Sequence, residues 1–199
     1  MLELKTDQIR ASFTTLGARL VSLEFAGADM VMGGGTDEDI LAGDWTTGAI
    51  AGRIAGRITN SRINLDGVEY PLAKNFGEHQ LHGGPDNFSV RHWNAQPAEN
   101  EIRFSLHSPD GDQGYPGALD VTASYAVNGA TLSLSFEART TKPTVINLTN
   151  HAYWNMSGGE RGAFDHEMQI MGSRYLPLSS ELLPSGELRE VEGTRSDGF

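Results

Sequence analysis

An all-β fold of many antiparallel strands, a sandwich or a barrel, is predicted for this 199-residue chain by three observations. Apolar and polar side chains alternate on both sides of two short turns. Glycine, asparagine and proline punctuate further alternating runs. No amphipathic helix runs longer than a few turns.

In chain order, IRASFTTLGARLVSLEFAG reads as strands between turn-forming residues, and MGGGTDEDI as a flexible turn. That run has the glycines of a phosphate cradle but not the lysine and hydroxyl that must follow them. SRINLDGVEYPL is a hairpin turning at Asp66-Gly67, and EIRFSLHS is a strand. SPDGDQGYPG carries alternating acids but no closing bidentate glutamate, so turn chemistry accounts for it better than calcium. The clearest element is ALDVTASYAV, Asn128-Gly129, ATLSLSFEAR. With Asn128 and Gly129 as the loop, Val127 faces Ala130, Tyr125 faces Leu132, Ala123 faces Leu134, Val121 faces Phe136 and Leu119 faces Ala138. One face is then buried, and the other, with Thr131, Ser133, Ser135 and Glu137, is wet. FDHEMQIMG also reads as a strand. No repeat, linker or low-complexity tract divides the chain, so residues 1–199 are expected to form one domain.

Composition excludes several classes of function. With 15 Lys+Arg against 26 Asp+Glu, the net charge is −11, which repels both a nucleic-acid backbone and an anionic membrane surface. The absence of cysteine removes disulfides, thiolate zinc sites and thiol nucleophiles. No apolar run approaches a membrane span and the first residues are charged, so a cytoplasmic protein is expected, with no nucleic-acid or membrane partner. The Asn-x-Ser/Thr triplets at Asn87, Asn147 and Asn155 read as chance matches without a secretion signal. Zinc-hydrolase and serine-triad signatures are missing.

Three stretches gather donor-rich side chains beside glycine or asparagine: GAIAGRIAGRITNSR around Arg53 and Arg57, FGEHQLHGGPDNF around His79 and His82, and NLTNHAYWNMSGG around His151. Singly, each reads as a packed or ion-paired group. Jointly they suit a neutral, hydroxyl-rich ligand, because planar guanidinium, imidazole and amide groups hold hydroxyls while an aromatic supplies an apolar wall. Carbohydrate is therefore the leading ligand class.

GRIAGRI, LHGG, DGDQGYPG, NLTNHAYWNMSG and LLPSGEL stand here in one order. In that order they resemble strings of the aldose 1-epimerases, the galactose mutarotase family. The resemblance implies a large antiparallel β-sandwich of the galactose mutarotase-like type. It implies interconversion of the α and β anomers of free aldohexoses such as galactose or glucose, with no metal and no organic cofactor. Matched by motif, it makes His151 the catalytic acid, Arg57 and His82 sugar ligands, and Tyr153 a lining residue. Gly56 stands where family members often carry asparagine.

Mutarotation opens a hemiacetal. A base takes the C1 hydroxyl proton while an acid protonates the ring oxygen, and the aldehyde turns and recloses. Imidazole, with an ordinary pKa of about 6.5, gives and recovers a proton near neutrality. Arginine stays protonated and can only bind. Spacing alone leaves open which of His82 and His151 reaches the ring oxygen. The family's general base is a late glutamate and a further sugar ligand is an aspartate in an Asp-His motif. Neither segment follows ELLPSGELREVEGT here, so the C-terminal strands of the fold are expected to be missing and no base is assigned. Glu160, Glu167, Glu181, Glu187 and Asp165 read as solvated or capping charges. The expectation is a mutarotase of low activity in this chain alone, with a non-catalytic sugar-binding domain as the alternative, and self-association through an exposed sheet edge.

Overall fold

The computed structural model of the protein describes residues 1–33, 36–43, 46–159 and 161–193. Two four-stranded antiparallel sheets dominate it. The first is a meander of β1 (Leu2–Lys5), β2 (Ile9–Thr14), β3 (Arg19–Phe25) and β4 (Ala28–Asp29). Its alternation buries Ile9, Ala11 and Phe13 on one face of β2, as a strand of period two should when one side is covered. Short elements follow: β5 (Val31–Met32), α1 (Asp37–Ala42), β6 (Ile50–Ala51), β7 (Arg57–Ile58), β8 (Arg62–Leu65), β9 (Val68–Pro71) and β10 (Gln80–Leu81). The second sheet is β11 (Asn94–Pro97), β12 (Glu101–Ser108), β13 (Leu119–Asn128) and β14 (Thr131–Thr140), in that order. Small ladders complete the chain: β15 (Thr149–Asn150), β16 (Tyr153–Trp154), β17 (Arg174–Tyr175) and β18 (Arg189–Glu190).

The apolar faces of the two large sheets share one core. Phe13 of β2 meets Tyr125 of β13 at 4.6 Å and Phe104 of β12 at 6.2 Å between ring centroids. Leu119, Val121, Ala123, Tyr125 and Val127 alternate into that core along β13. The Tyr125 hydroxyl donates to the Ala18 carbonyl at 3.0 Å, so this buried phenol keeps a partner.

The long hairpin differs from the sequence expectation in register. Asn128 pairs with Thr131, Val127 with Leu132, Tyr125 with Leu134, Ala123 with Phe136 and Val121 with Ala138, so the two-residue turn is Gly129-Ala130. An Asn-Gly loop of type I′ needs positive φ at both residues. Here Gly129 (φ 56°) has it and Asn128 does not, which is the type II′ pattern with glycine first. The shift is two residues, so the buried and wet faces are unchanged. At Asp66 (φ 53°) and Gly67 (φ 81°) both residues are left-handed, and β8 and β9 turn where expected.

Two further expectations are corrected. Within MGGGTDEDI, Thr36 caps α1 and forms a capping box with Asp39, so the TDEDI part is a short helix; Gly34 and Gly35 lie outside the described residues. FDHEMQIMG forms no strand: Phe164, Met168, Ile170 and Met171 are exposed, and no strand pairs with the stretch among the described residues. Alternation without a neighbour to pair with does not make a strand. Glu160 and residues 194–199 also lie outside the described residues.

Candidate active site

The site residues come from three segments clamped together by backbone hydrogen bonds. β15 pairs with β6, and the ladder runs on past it: His151 N–H donates to the Ala49 carbonyl at 2.8 Å, and Gly48 N–H donates to the His151 carbonyl at 2.9 Å. Ala49, Ile50 and Ala51 are fully buried, so His151 is mounted on a rigid base. Asn150 fixes the approach. Its amide donates to the Gly48 carbonyl (2.7 Å) and the Tyr125 hydroxyl (3.0 Å), and its carbonyl accepts from Ala152 N–H (2.9 Å). Asn155 does the same at the exit, donating to the Arg161 carbonyl and accepting from Ser157 N–H. The side chains of Asn150 and Asn155 are framework.

His82 is held on the facing segment. β10 pairs with β7, placing Leu81 opposite Arg57. Asn75 grips Leu81 by both its N–H (2.7 Å) and its carbonyl (2.9 Å). His82 N–H donates to the Gly56 carbonyl, and Gly56 N–H donates to His82 Nδ1 at 3.0 Å. A backbone N–H can only donate, so Nδ1 is an acceptor and the neutral ring carries its proton on Nε2. Gly83 packs where no other residue fits: its φ is +97°, and an added Cβ would overlap the Gly52 carbonyl and lie 2.7 Å from Arg53 N.

These clamps bring the predicted residues together. The His82 and His151 rings meet edge to face with centroids 5.0 Å apart, and the Tyr153 ring lies 5.2 Å from His151. Among the described residues the His151 ring has these ring contacts and no hydrogen bond. Arg57 adjoins His82 through the β7–β10 pairing, and its guanidinium carbon lies 4.8 Å from the centre of the Phe76 ring. Tyr153 also borders a cleft of about 470 Å³ lined by Arg19, Met32 and Thr47.

The other candidates are structural. Arg53 is 2% exposed and spends its whole guanidinium on the 108–117 loop. Nε donates to Ser108 Oγ (3.0 Å), Nη1 to the carbonyls of Pro116 (3.2 Å) and Gly117 (2.9 Å), and Nη2 to those of Ser108 and Pro109 (3.0 Å each). Burial pulls its pKa down from the ordinary arginine value. The acids of that loop are also consumed. Asp112 takes a two-pronged bond from Arg91 at 2.7 Å per prong, and Asp110 accepts from Gly117 N–H and pairs with Lys142. Burial pushes the Asp112 carboxyl up, but hydrogen bonds from Arg91 and Ser108 outweigh it and hold the group below the usual carboxylate range. Turn chemistry, as expected, explains DGDQGYPG. His79 Nδ1 accepts from Asn60 N–H at 2.9 Å. Asp165 pairs with Arg161, and Glu187 with Arg189, both in exposed positions.

A family model described as "Aldose 1-epimerase" matches residues 1–198. The chain belongs to the aldose 1-epimerase family. It is 37% identical to the galactose mutarotase of Sus scrofa over 201 aligned residues, 98% of this chain and 59% of that protein. It is 41% identical to the aldose 1-epimerase of Haemophilus influenzae over 154 residues, 75% of this chain and 45% of that one. Among solved structures, an aldose epimerase homologue from C. elegans superimposes with a TM-score of 0.90 at 31% identity, covering 97% of this chain and 62% of its own. The galactose 1-epimerase of Lactobacillus acidophilus gives 0.86 at 30%, covering 98% and 59%. The galactose mutarotase-like fold inferred from the motifs is therefore the fold of this aldose 1-epimerase family member. The chain spans about 59% of the length of the curated galactose mutarotases it matches.

Phe76 and Asn150 escaped the sequence reading as site-building residues. Both stood in the quoted strings, but Phe76 reaches Arg57 across the β7–β10 pairing, and Asn150 grips a carbonyl about 100 positions earlier. No spacing rule signals such contacts.

Proposed function

We propose that the surface formed by His82, His151 and Arg57 binds a free aldohexose, galactose or glucose, and serves aldose 1-epimerase chemistry in hexose metabolism. The observation that carries it is the edge-to-face pair of imidazoles beside Arg57, with the tautomer of one fixed by Gly56 N–H. His82, with its proton on Nε2, is a hydrogen-bond donor to a sugar oxygen. His151, whose ring is tied by no hydrogen bond among the described residues, is the acid. It gives a proton to the ring oxygen as the C1–O bond breaks, and recovers it when the aldehyde recloses on its other face. Arg57 donates to hydroxyls and Tyr153 forms a wall. The C1 hydroxyl proton goes to a base that none of Asp165, Glu167, Glu181 or Glu187 is assigned to be, so this chain alone is expected to be a weak catalyst.

Titrating galactose against intrinsic tryptophan fluorescence tests the binding. A saturable response that His82→Ala and Arg57→Ala weaken supports the proposal, and a flat response in the wild type refutes it. Self-association through β14 belongs to the same proposal. β14 is the last strand of its sheet, its Thr131–Phe136 stretch carries no charge, and Leu132, Leu134 and Phe136 are only half-buried. Sedimentation that gives a monomer at all concentrations would refute that part. A cysteine-free chain working on free hexose is expected in the cytoplasm.

A further inference from the structure

Phe76 stands on a tight turn. It bridges to His79 through N–H···O bonds of 3.1 and 2.9 Å in the two directions, and the next strand, β10, pairs with the strand that carries Arg57. Phe76 is 38% exposed, and the Arg57 guanidinium lies over its ring at 4.8 Å. Arg57 is otherwise unlike the arginines around it. Among the described residues no ion pair involves it, and its buried Nε has no hydrogen-bond partner. Gly56 offers no packing either, since a Cβ built there would meet nothing within 4 Å. The Phe76 ring is thus the side-chain contact that restrains this guanidinium among the described residues.

The geometry has a chemical consequence. A carboxylate partner would fix Arg57 equally well, but it would occupy two of the in-plane N–H groups. Stacking uses the face of the guanidinium, which donates nothing, and leaves the N–H edge for a ligand. We propose that Phe76 is a positioning residue of the sugar site, holding the Arg57 guanidinium flat so that its N–H edge meets the hydroxyls of a neutral aldohexose. This rests on the sugar-binding function proposed above.

The test is a double-mutant cycle on the full chain, read as the galactose dissociation constant by calorimetry. Phe76→Leu keeps the apolar bulk and removes the π face, and it should weaken binding about three- to fivefold. Phe76→Tyr should restore it to within about twofold. In an Arg57→Met background, Phe76→Leu should change nothing further. Equal, additive losses in both backgrounds would make Phe76 a merely structural residue and overturn the proposal. A second measurement needs no sugar. The Arg57 Hε resonance should be shifted by the ring current in the wild type and in Phe76→Tyr, and should move in Phe76→Leu. An unmoved Hε overturns the positioning contact itself. A ring-shifted Hε with no saturable galactose binding by the wild type overturns instead the sugar function, and with it the role of the contact in binding.

Discussion

Arg53 and Arg57 occupy the same motif, GRIAGR, yet replacing each by methionine should have opposite consequences. Arg53 makes five hydrogen bonds from a buried guanidinium. Bonds from a charged donor contribute about 1.5–3 kcal/mol each, so even at the low end they total about 7.5 kcal/mol. Roughly half of that is offset by the cost of burying the charge. Arg53→Met should therefore destabilise the fold by about 3–4 kcal/mol, because carbonyls of the 108–117 loop lose their donors. With a urea m-value of about 2 kcal/mol/M, the unfolding midpoint should fall by about 1.5–2 M. Arg53→Lys keeps the charge but offers donors from a single atom, and should recover only part of the loss. Arg57→Met removes one stacking contact and should cost about 1 kcal/mol or less in stability, while weakening galactose binding. Urea denaturation followed by tryptophan fluorescence reads both. An Arg53→Met midpoint within about 0.5 M of the wild type, or an Arg57→Met loss as large as that of Arg53→Met, would refute this division of roles.

Two more perturbations probe the clamps around the site. Gly83→Ala should lower stability by about 2 kcal/mol or more, since its φ of +97° and the overlap with the Gly52 carbonyl both oppose a side chain; an unchanged thermal midpoint would contradict the packing. Asp112 titrates below the ordinary carboxylate range in the folded protein. The stability it contributes is fully present above its unfolded pKa of about 3.9 and is lost as pH falls through the lower folded value. Asp112→Asn should accordingly flatten the acid side of the stability-versus-pH curve below about pH 4, and an unchanged acid slope would show the Arg91 pair to be unimportant.

β12, β13 and β14 of the second sheet were legible because their signal is local: period-two alternation in β13 and β14 depends only on which face is covered; β11, a short edge strand of mostly polar residues, was not read. The turn between β13 and β14 was placed one residue early, which shifts the pairing by two, because Asn-Gly suggests a type I′ loop and only the backbone reveals that Gly129 alone is left-handed. FDHEMQIMG carried the same alternation, but pairing is non-local and no neighbouring strand meets it among the described residues. His82, His151 and Tyr153 were picked out from motifs, and the structure sets the His151 ring 5.0 Å from that of His82 and 5.2 Å from that of Tyr153. Arg53 and Arg57 could not be ranked from sequence, since the difference lies in burial and partners: the 108–117 carbonyls for one, the Phe76 ring for the other.

The most direct test of the site is an NMR titration of the full chain with galactose, observing the imidazole resonances of its six histidines. His82 and His151 should shift together and saturate with one dissociation constant, while the exposed His92, His107 and His166 stay in place. Shifts confined to the exposed rings, or no saturable change at His82 and His151, would contradict sugar binding at this pair.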